Sequence, residues 1–169
     1  MINLIFLIGF FIIYGLAAFY FVWSTIYGVP FYPSNKKAIK AILDYLPEDK
    51  SKKVVELGAG DGRIAFAIAR AGYDVVAIEF NPFLSIALRI RKLVSRQKKV
   101  IIKNKDFFKE DLSQYDVFVG YLMPHTMAKL DKVLYTPQNK GKLILSNTFQ
   151  LKNHQPVKVN EKIYYYVID

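Results

Sequence analysis

The chain opens on a stretch with almost no polar position. From Ile2 to Tyr27 only Asn3, Ser24 and Thr25 are clearly polar, and no charged side chain precedes Lys36. An apolar run of this length predicts one helix, longer at about 1.5 Å per residue than a hydrocarbon core of about 30 Å. Tyr20, Trp23, Tyr27, Phe31 and Tyr32 thicken toward one end, as an interfacial aromatic belt does, and Lys36, Lys37 and Lys40 follow. A cleaved leader would need a basic start, a shorter apolar core and a small-residue cleavage site, none of which is evident. The expectation is a single-pass anchor over residues 1–27, its N-terminus outside and the rest of the chain cytoplasmic.

Beyond it the pattern changes period. Residues 28–35 read as an extended connector, kept out of a helix by Pro30 and Pro33. Ser34 or Asn35 can cap a helix in which Ala38, Ala41, Ile42, Tyr45 and Leu46 recur at helical spacing, and Pro47 stops it. Short apolar runs then alternate with helical ones. Strands are predicted at 53–57, up to Glu79, at 100–103, 115–122 and 142–147, with helices at 63–71, 82–96 and 124–134. Val157 to Val159 and Ile163 to Ile168 read as a closing hairpin around Asn160-Glu161. This alternation predicts an α/β domain over 36–169 with a doubly wound, mostly parallel sheet and antiparallel strands at its C-terminal edge.

Chemistry concentrates in Val54-Val55-Glu56-Leu57-Gly58-Ala59-Gly60-Asp61-Gly62-Arg63. A buried strand runs into glycines that let the backbone turn sharply and approach a ligand closely. A dinucleotide loop would read G-x-G-x-x-G, but the position of its third glycine is Arg63. A second strand ends in Glu79, followed by Phe80, Asn81 as a helix cap and Pro82 at the first helical position. Glu79 lies 19 residues after Gly60, near the interval of about 20 that sets an acid beneath a ribose. Such a carboxylate can accept from both ribose hydroxyls.

These residues resemble motif I of the class I S-adenosylmethionine (SAM) methyltransferases, E/D-x-G-x-G-x-G, whose fold is Rossmann-like. The resemblance implies SAM as cofactor, with Glu56 near the methionine amino end and Gly58, Ala59, Gly60 and Gly62 packed against it. It further implies Glu79 and Phe80 at the ribose, Asp106 toward the adenine amino group and Phe107 stacked on the base. Val29-Pro30-Phe31-Tyr32-Pro33-Ser34 resembles the V-P-Y-V-P-T segment of archaeal protein lysine methyltransferases. It is also similar to the region after the anchor in ATP synthase c-subunit lysine N-methyltransferases. In those families this segment folds over the cofactor and shapes the lysine entrance, which here points to Tyr32 and Ser34.

Tyr121-Leu122-Met123-Pro124-His125-Thr126 ends the fourth strand, on the edge facing the methyl group in this fold. It lacks the N-P-P-Y motif of many amide and nucleobase N-methyltransferases and looks more like the apolar-Pro-polar segment of the c-subunit enzymes, from which His125 departs. Tyr32, Tyr121 and the backbone at Met123 and Pro124 are the candidates to orient an amine. His125 is a candidate base, or else a rim residue.

Composition narrows the partners. All 24 Lys and Arg and all 14 Asp and Glu lie beyond residue 35, so the net +10 belongs to that part. There is no cysteine and only His125 and His154, which excludes a thiolate site and argues against a protein-held metal. Arg89, Arg91, Lys92, Arg96, Lys98, Lys99, Lys103 and Lys105 accumulate with no acid between Phe80 and Lys105. They could dock on anionic headgroups, form a solvated helix face or meet nucleic acid, the last disfavoured by a membrane tether. The expected function is membrane-anchored SAM-dependent methylation of a lysine on a membrane-proximal protein, at a prokaryotic plasma membrane. The alternatives are a lipid or quinone acceptor, or a non-catalytic module that keeps the fold.

Overall fold

The computed structural model describes residues 2–27 and 34–169, with side chains described for 4–19 and 34–169. It divides into two units, Met1–Tyr32 and Pro33–Asp169. In the first, helix α1 spans Ile2–Tyr27, as the apolar run predicts. Its side chains from Leu4 to Phe19 are exposed all round apart from the half-buried Gly9. Among the described residues no helix is long and apolar enough to cross a membrane. At about 1.5 Å per residue, positions 4–19 cover only about 24 Å, short of a hydrocarbon core of about 30 Å. The transmembrane anchor over 1–27 therefore remains a proposal. The connector, with Tyr32, lies outside the described residues up to Pro33.

The second unit begins with α2 (Lys36–Tyr45), capped by Asn35, whose side chain accepts from Ala38 N at 2.8 Å. There follow β1 (Val54–Leu57), α3 (Arg63–Arg70), β2 (Val75–Glu79), α4 (Pro82–Ser95) and β3 (Val100–Asn104). Then come β4 (Val117–Gly120), α5 (Pro124–Leu134), β5 (Leu143–Asn147), β6 (Lys158–Asn160) and β7 (Ile163–Val167). The strands form one sheet in the order β3-β2-β1-β4-β5-β7-β6. Pairing is parallel from β3 through β5 and antiparallel at β7 and β6. The doubly wound sheet and its antiparallel edge match the sequence expectation. Short 3-10 turns at 107–109, 112–114 and 137–139 were not foreseen.

β1 and β2 are buried almost throughout because helices cover both sheet faces. On one face α2, α3 and α4 contribute Ala38, Ile42, Ile64, Phe66, Ile68 and Leu88 to the core. On the other, α5 packs Met127, Leu130 and Leu134 against Phe118, Ile144 and Tyr166. β7 serves both cores by alternation, with Ile163 in the first and Tyr166 in the second. The chain winds from β1 outward to β3, then returns to place β4 on β1's other side. That reversal opens a crevice beyond the carboxyl ends of β1 and β4, where ligands bind in open α/β sheets.

Candidate active site

At the end of β1, Glu56 is 3% exposed, a carboxyl group inside an apolar strand. Its Oε2 accepts from Ala65 N at 2.8 Å, satisfying a first-turn donor of α3 that the helix itself leaves unpaired. Burial pushes the Glu56 carboxyl well above its ordinary range; the Ala65 bond opposes this, while nearby Asp61 and Glu79 add to it. A cationic ligand beside Glu56 would offset that burial.

The next residues form the cradle. Gly58, Gly60 and Gly62 all have positive φ, at 70°, 58° and 75°. Gly58 N and Ala59 N donate to Ile78 O at 2.9 and 3.0 Å, so the loop stays zipped to β2 as it turns. Gly62 then caps α3 from the left-handed region. The open side of the loop thus presents backbone with little side chain, as a closely approaching ligand requires.

Glu79, at the end of β2, is 8% exposed and grips the loop. Its Oε2 accepts from Gly60 N at 2.7 Å and its Oε1 from Asn81 N at 2.8 Å. Burial raises its pKa, with the bonds from Asn81, Gly60 and Phe80 acting against the rise. Each carboxylate oxygen still has a second lone pair, so the ribose role expected for Glu79 is chemically open alongside its hold on Gly60. Phe80 is exposed beside it, and Asn104 Nδ2 donates to Glu79 O at 2.8 Å and Phe80 O at 3.1 Å. That amide latches β3 to the end of β2.

Sequence reading missed a second network. Asp61 receives Arg63 through Nη2 at 2.7 Å, while Arg91 Nη1 donates to the Asp61 carbonyl at 2.8 Å. Arg63 Nη1 also donates to Ser34 O at 3.0 Å, and Asn147 Nδ2 at the end of β5 donates to Ser34 Oγ at 3.0 Å. Ser34 is consequently buried and pinned between the glycine loop and β5. The only local cue was an arginine immediately after the last glycine.

Asp106 accepts from Phe108 N at 3.0 Å, capping the turn that carries Phe107. Phe107 packs on the α5-side core with its ring 4.5 Å from that of Phe108. This segment is stapled by Glu110, which receives Lys103, Lys105 Nζ at 2.6 Å and Tyr115 OH at 2.9 Å. Against its burial, these partners hold the Glu110 carboxyl down at about 2, from an ordinary 4.5. Its stabilisation is therefore complete above pH 4.5 and fades as pH falls toward about 2. Because the lysines are partly in water, the loss on Glu110→Gln at pH 7 should be about 1–2 kcal/mol. Urea unfolding should show this gap between wild type and variant closing as pH is lowered toward 2.

At the far side of the crevice, Tyr121 leaves β4 and its ring lies 6.2 Å from Phe149, beyond β5. Leu122 sits beneath Gly58, 3.0 Å from where a Cβ would be. Pro124 and His125 are exposed in the first turn of α5. The structure thus bonds Glu79 to Gly60, Glu56 to the first turn of α3, and Ser34 to Arg63 at the loop's end. It sets Asp106 and Phe107 after β3 and Tyr121 after β4, on opposite sides of β2 and β1, and leaves His125 exposed in the first turn of α5.

The sheet order, the crevice and an acid-flanked glycine loop define a Rossmann-like class I methyltransferase. More narrowly, the chain belongs to the ANTKMT methyltransferase domain family, whose model matches residues 56–158. Among curated proteins it is similar to the ATP synthase c-subunit lysine N-methyltransferase of Xenopus laevis. That match is 29% identical over 131 residues, covering 76% of this chain and 57% of that protein. It is also similar to a protein-lysine N-methyltransferase of Saccharolobus islandicus, 26% identical, covering 83% and 94%. A solved RNA methyltransferase of Salinibacter ruber, in complex with S-adenosylhomocysteine, superposes with a TM-score of 0.74 at 28% identity, covering 81% and 94%. The chain spans little more than half the length of the first vertebrate relatives it matches.

The residues present fit SAM. Glu56 suits a cationic amino end and Glu79 a ribose diol, on a loop whose positive-φ turns need glycine.

Proposed function

We propose that this chain is a SAM-dependent protein-lysine N-methyltransferase acting on a membrane or membrane-proximal protein from the cytoplasmic side, with α1 as its single-pass anchor. The observation that carries the catalytic part is a pair of buried carboxylates flanking the glycine loop, Glu79 bonded to Gly60 N and Glu56 to Ala65 N, in a chain of this family. Both the c-subunit and the archaeal relatives named above are lysine N-methyltransferases, which supports lysine over other acceptors. The anchor is supported by a run without a charged side chain before Lys36 and by the lysines that follow.

When bound, SAM supplies an activated methyl group on a sulfonium, so the protein's task is alignment. Glu56 would hold the methionine amino end of the cofactor and Glu79 its ribose. Tyr121, backed by Phe149, forms an aromatic wall for the acceptor, and the backbone at Met123 and Pro124 can orient an amine. A lysine must arrive neutral, although its ordinary pKa is about 10.4. An apolar, aromatic entrance near a positive charge depresses that value, and the proton passes to water. No dedicated base is needed, which leaves His125 a rim residue. Tyr32, in the connector, belongs to the same proposed entrance.

The test is transfer of label from radioactive SAM, offering the full chain membrane proteins, lipid extract and RNA side by side. Labelled protein, lost when acceptor lysines are acetylated beforehand, supports the proposal. Label in lipid or RNA alone contradicts it.

A further inference from the structure

Helix α4 carries its apolar residues on the side where a helix covering a sheet in water would be polar. Only Ser85 and Leu88 of it are buried. Phe83, Ile86, Ile90, Leu93 and Val94 are exposed, Leu93 at 79% and Val94 at 80%. At 100° per residue these five fall within an arc of about 100°, away from Ser85 and Leu88. Arg89 borders the arc on one side and Arg91 on the other. Lys92 lies on the opposite side, between the buried Leu88 and Ser85, while Arg96 and Lys98 continue past the helix end. The acids closest to this surface are already engaged: Asp61 faces Arg91 at 3.9 Å and Asp74 faces Lys99 at 3.6 Å. The remaining field is positive.

From this we propose that the outward face of α4 lies in the headgroup boundary of an anionic lipid leaflet, with Arg89, Arg96 and Lys98 on the phosphates. A broad apolar arc bordered by Lys and Arg is the composition of helices that lie in that plane, buried about 5–10 Å deep. Charge complementarity selects an anionic leaflet over a neutral one. The arc holds four aliphatic side chains and no Trp or Tyr, unlike the anchors that dominate protein interfaces or stack on bases. α4 starts directly after Glu79, so this docking would hold the crevice close to the leaflet. The inference is separate from anchoring by α1 and from the nature of the acceptor.

Because the chain has no cysteine, one introduced residue carries a unique label. The full chain with Leu93→Cys bearing an environment-sensitive fluorophore is reconstituted into discs of phosphatidylcholine alone or with about one third phosphatidylserine. Lys132→Cys, exposed on α5 across the sheet, is the control. In anionic discs the label at 93 should shift blue and be quenched several-fold more by nitroxide lipid than the label at 132. Neutral discs, or Arg89→Gln with Arg96→Gln, should abolish that difference. Three results overturn the inference. One is equal quenching at both positions. Another is quenching at 93 that ignores lipid charge. The last is a lipid-free blue shift that grows with protein concentration or with added RNA, which would assign the face to a second copy or to nucleic acid.

Discussion

Replacing Glu79 with Ala should weaken SAM binding by about two orders of magnitude. In the proposed complex each carboxylate oxygen takes a ribose hydroxyl while holding a loop amide, Gly60 N at 2.7 Å or Asn81 N at 2.8 Å. A hydrogen bond to a charged group contributes about 1.5–3 kcal/mol, so losing two costs about 3 kcal/mol or more, on the order of 100-fold in dissociation constant. Glu79→Gln is the informative companion. It keeps the shape but turns an NH2 group toward either Gly60 N–H or Asn81 N–H, setting donor against donor. It should therefore lie between wild type and Ala in affinity and, with one buried backbone N–H left facing a donor, lose thermal stability as well. Calorimetric titration with SAM, paired with melting curves, separates the ligand effect from the fold effect.

Gly62→Ala should be the most destabilising single methyl that can be added to the loop. Its Cβ would fall 2.2 Å from Leu88 Cδ2 and 3.0 Å from Phe66 Cδ2, both in fully buried side chains. The backbone there, at φ 75°, costs a residue with a Cβ about 1–2 kcal/mol before any collision. Overpacking adds about 1–3 kcal/mol, for a total of about 2–5 kcal/mol by urea unfolding. Trimming the obstacle should restore part of this. In a Leu88→Ala background the same substitution should cost clearly less, whereas additive costs would show that the collision is not the cause. Gly58→Ala, whose closest neighbour is Leu122 Cδ2 at 3.0 Å with φ 70°, should be milder.

The features that could be read from sequence are those set by neighbours in the chain. Val54 to Gly62 and Val75 to Pro82 announce strand, acid, turn and helix start within a few residues, and the structure places each there. Pro124 to Leu134 is helical as predicted because a proline opens it and one apolar face runs its length. Where side chains answer to distant partners, local pattern misleads. Tyr115 and Tyr121 look like strand residues, yet β4 covers only Val117–Gly120. Tyr115 instead points its hydroxyl at Glu110, and Tyr121 lies against Phe149. The Arg63–Ser34–Asn147 chain spans separations of 29 and 113 residues, which no periodicity encodes. α4 illustrates a third limit. Its apolar period is plain in the sequence, but only the sheet beneath reveals that Leu88 faces inward and Leu93 outward.

The most direct test of the account is a calorimetric titration of the full chain with SAM in two buffers of different ionisation enthalpy. Burial disfavours the charged form of Glu56, so a cation bound beside it should lower its raised pKa, and any proton released on binding registers as a difference in heat between the buffers. The account predicts saturable one-to-one binding with a dissociation constant that does not rise as pH rises, since the charged form of Glu56 is the one that holds the cation. Absence of saturable heat at millimolar SAM would contradict it.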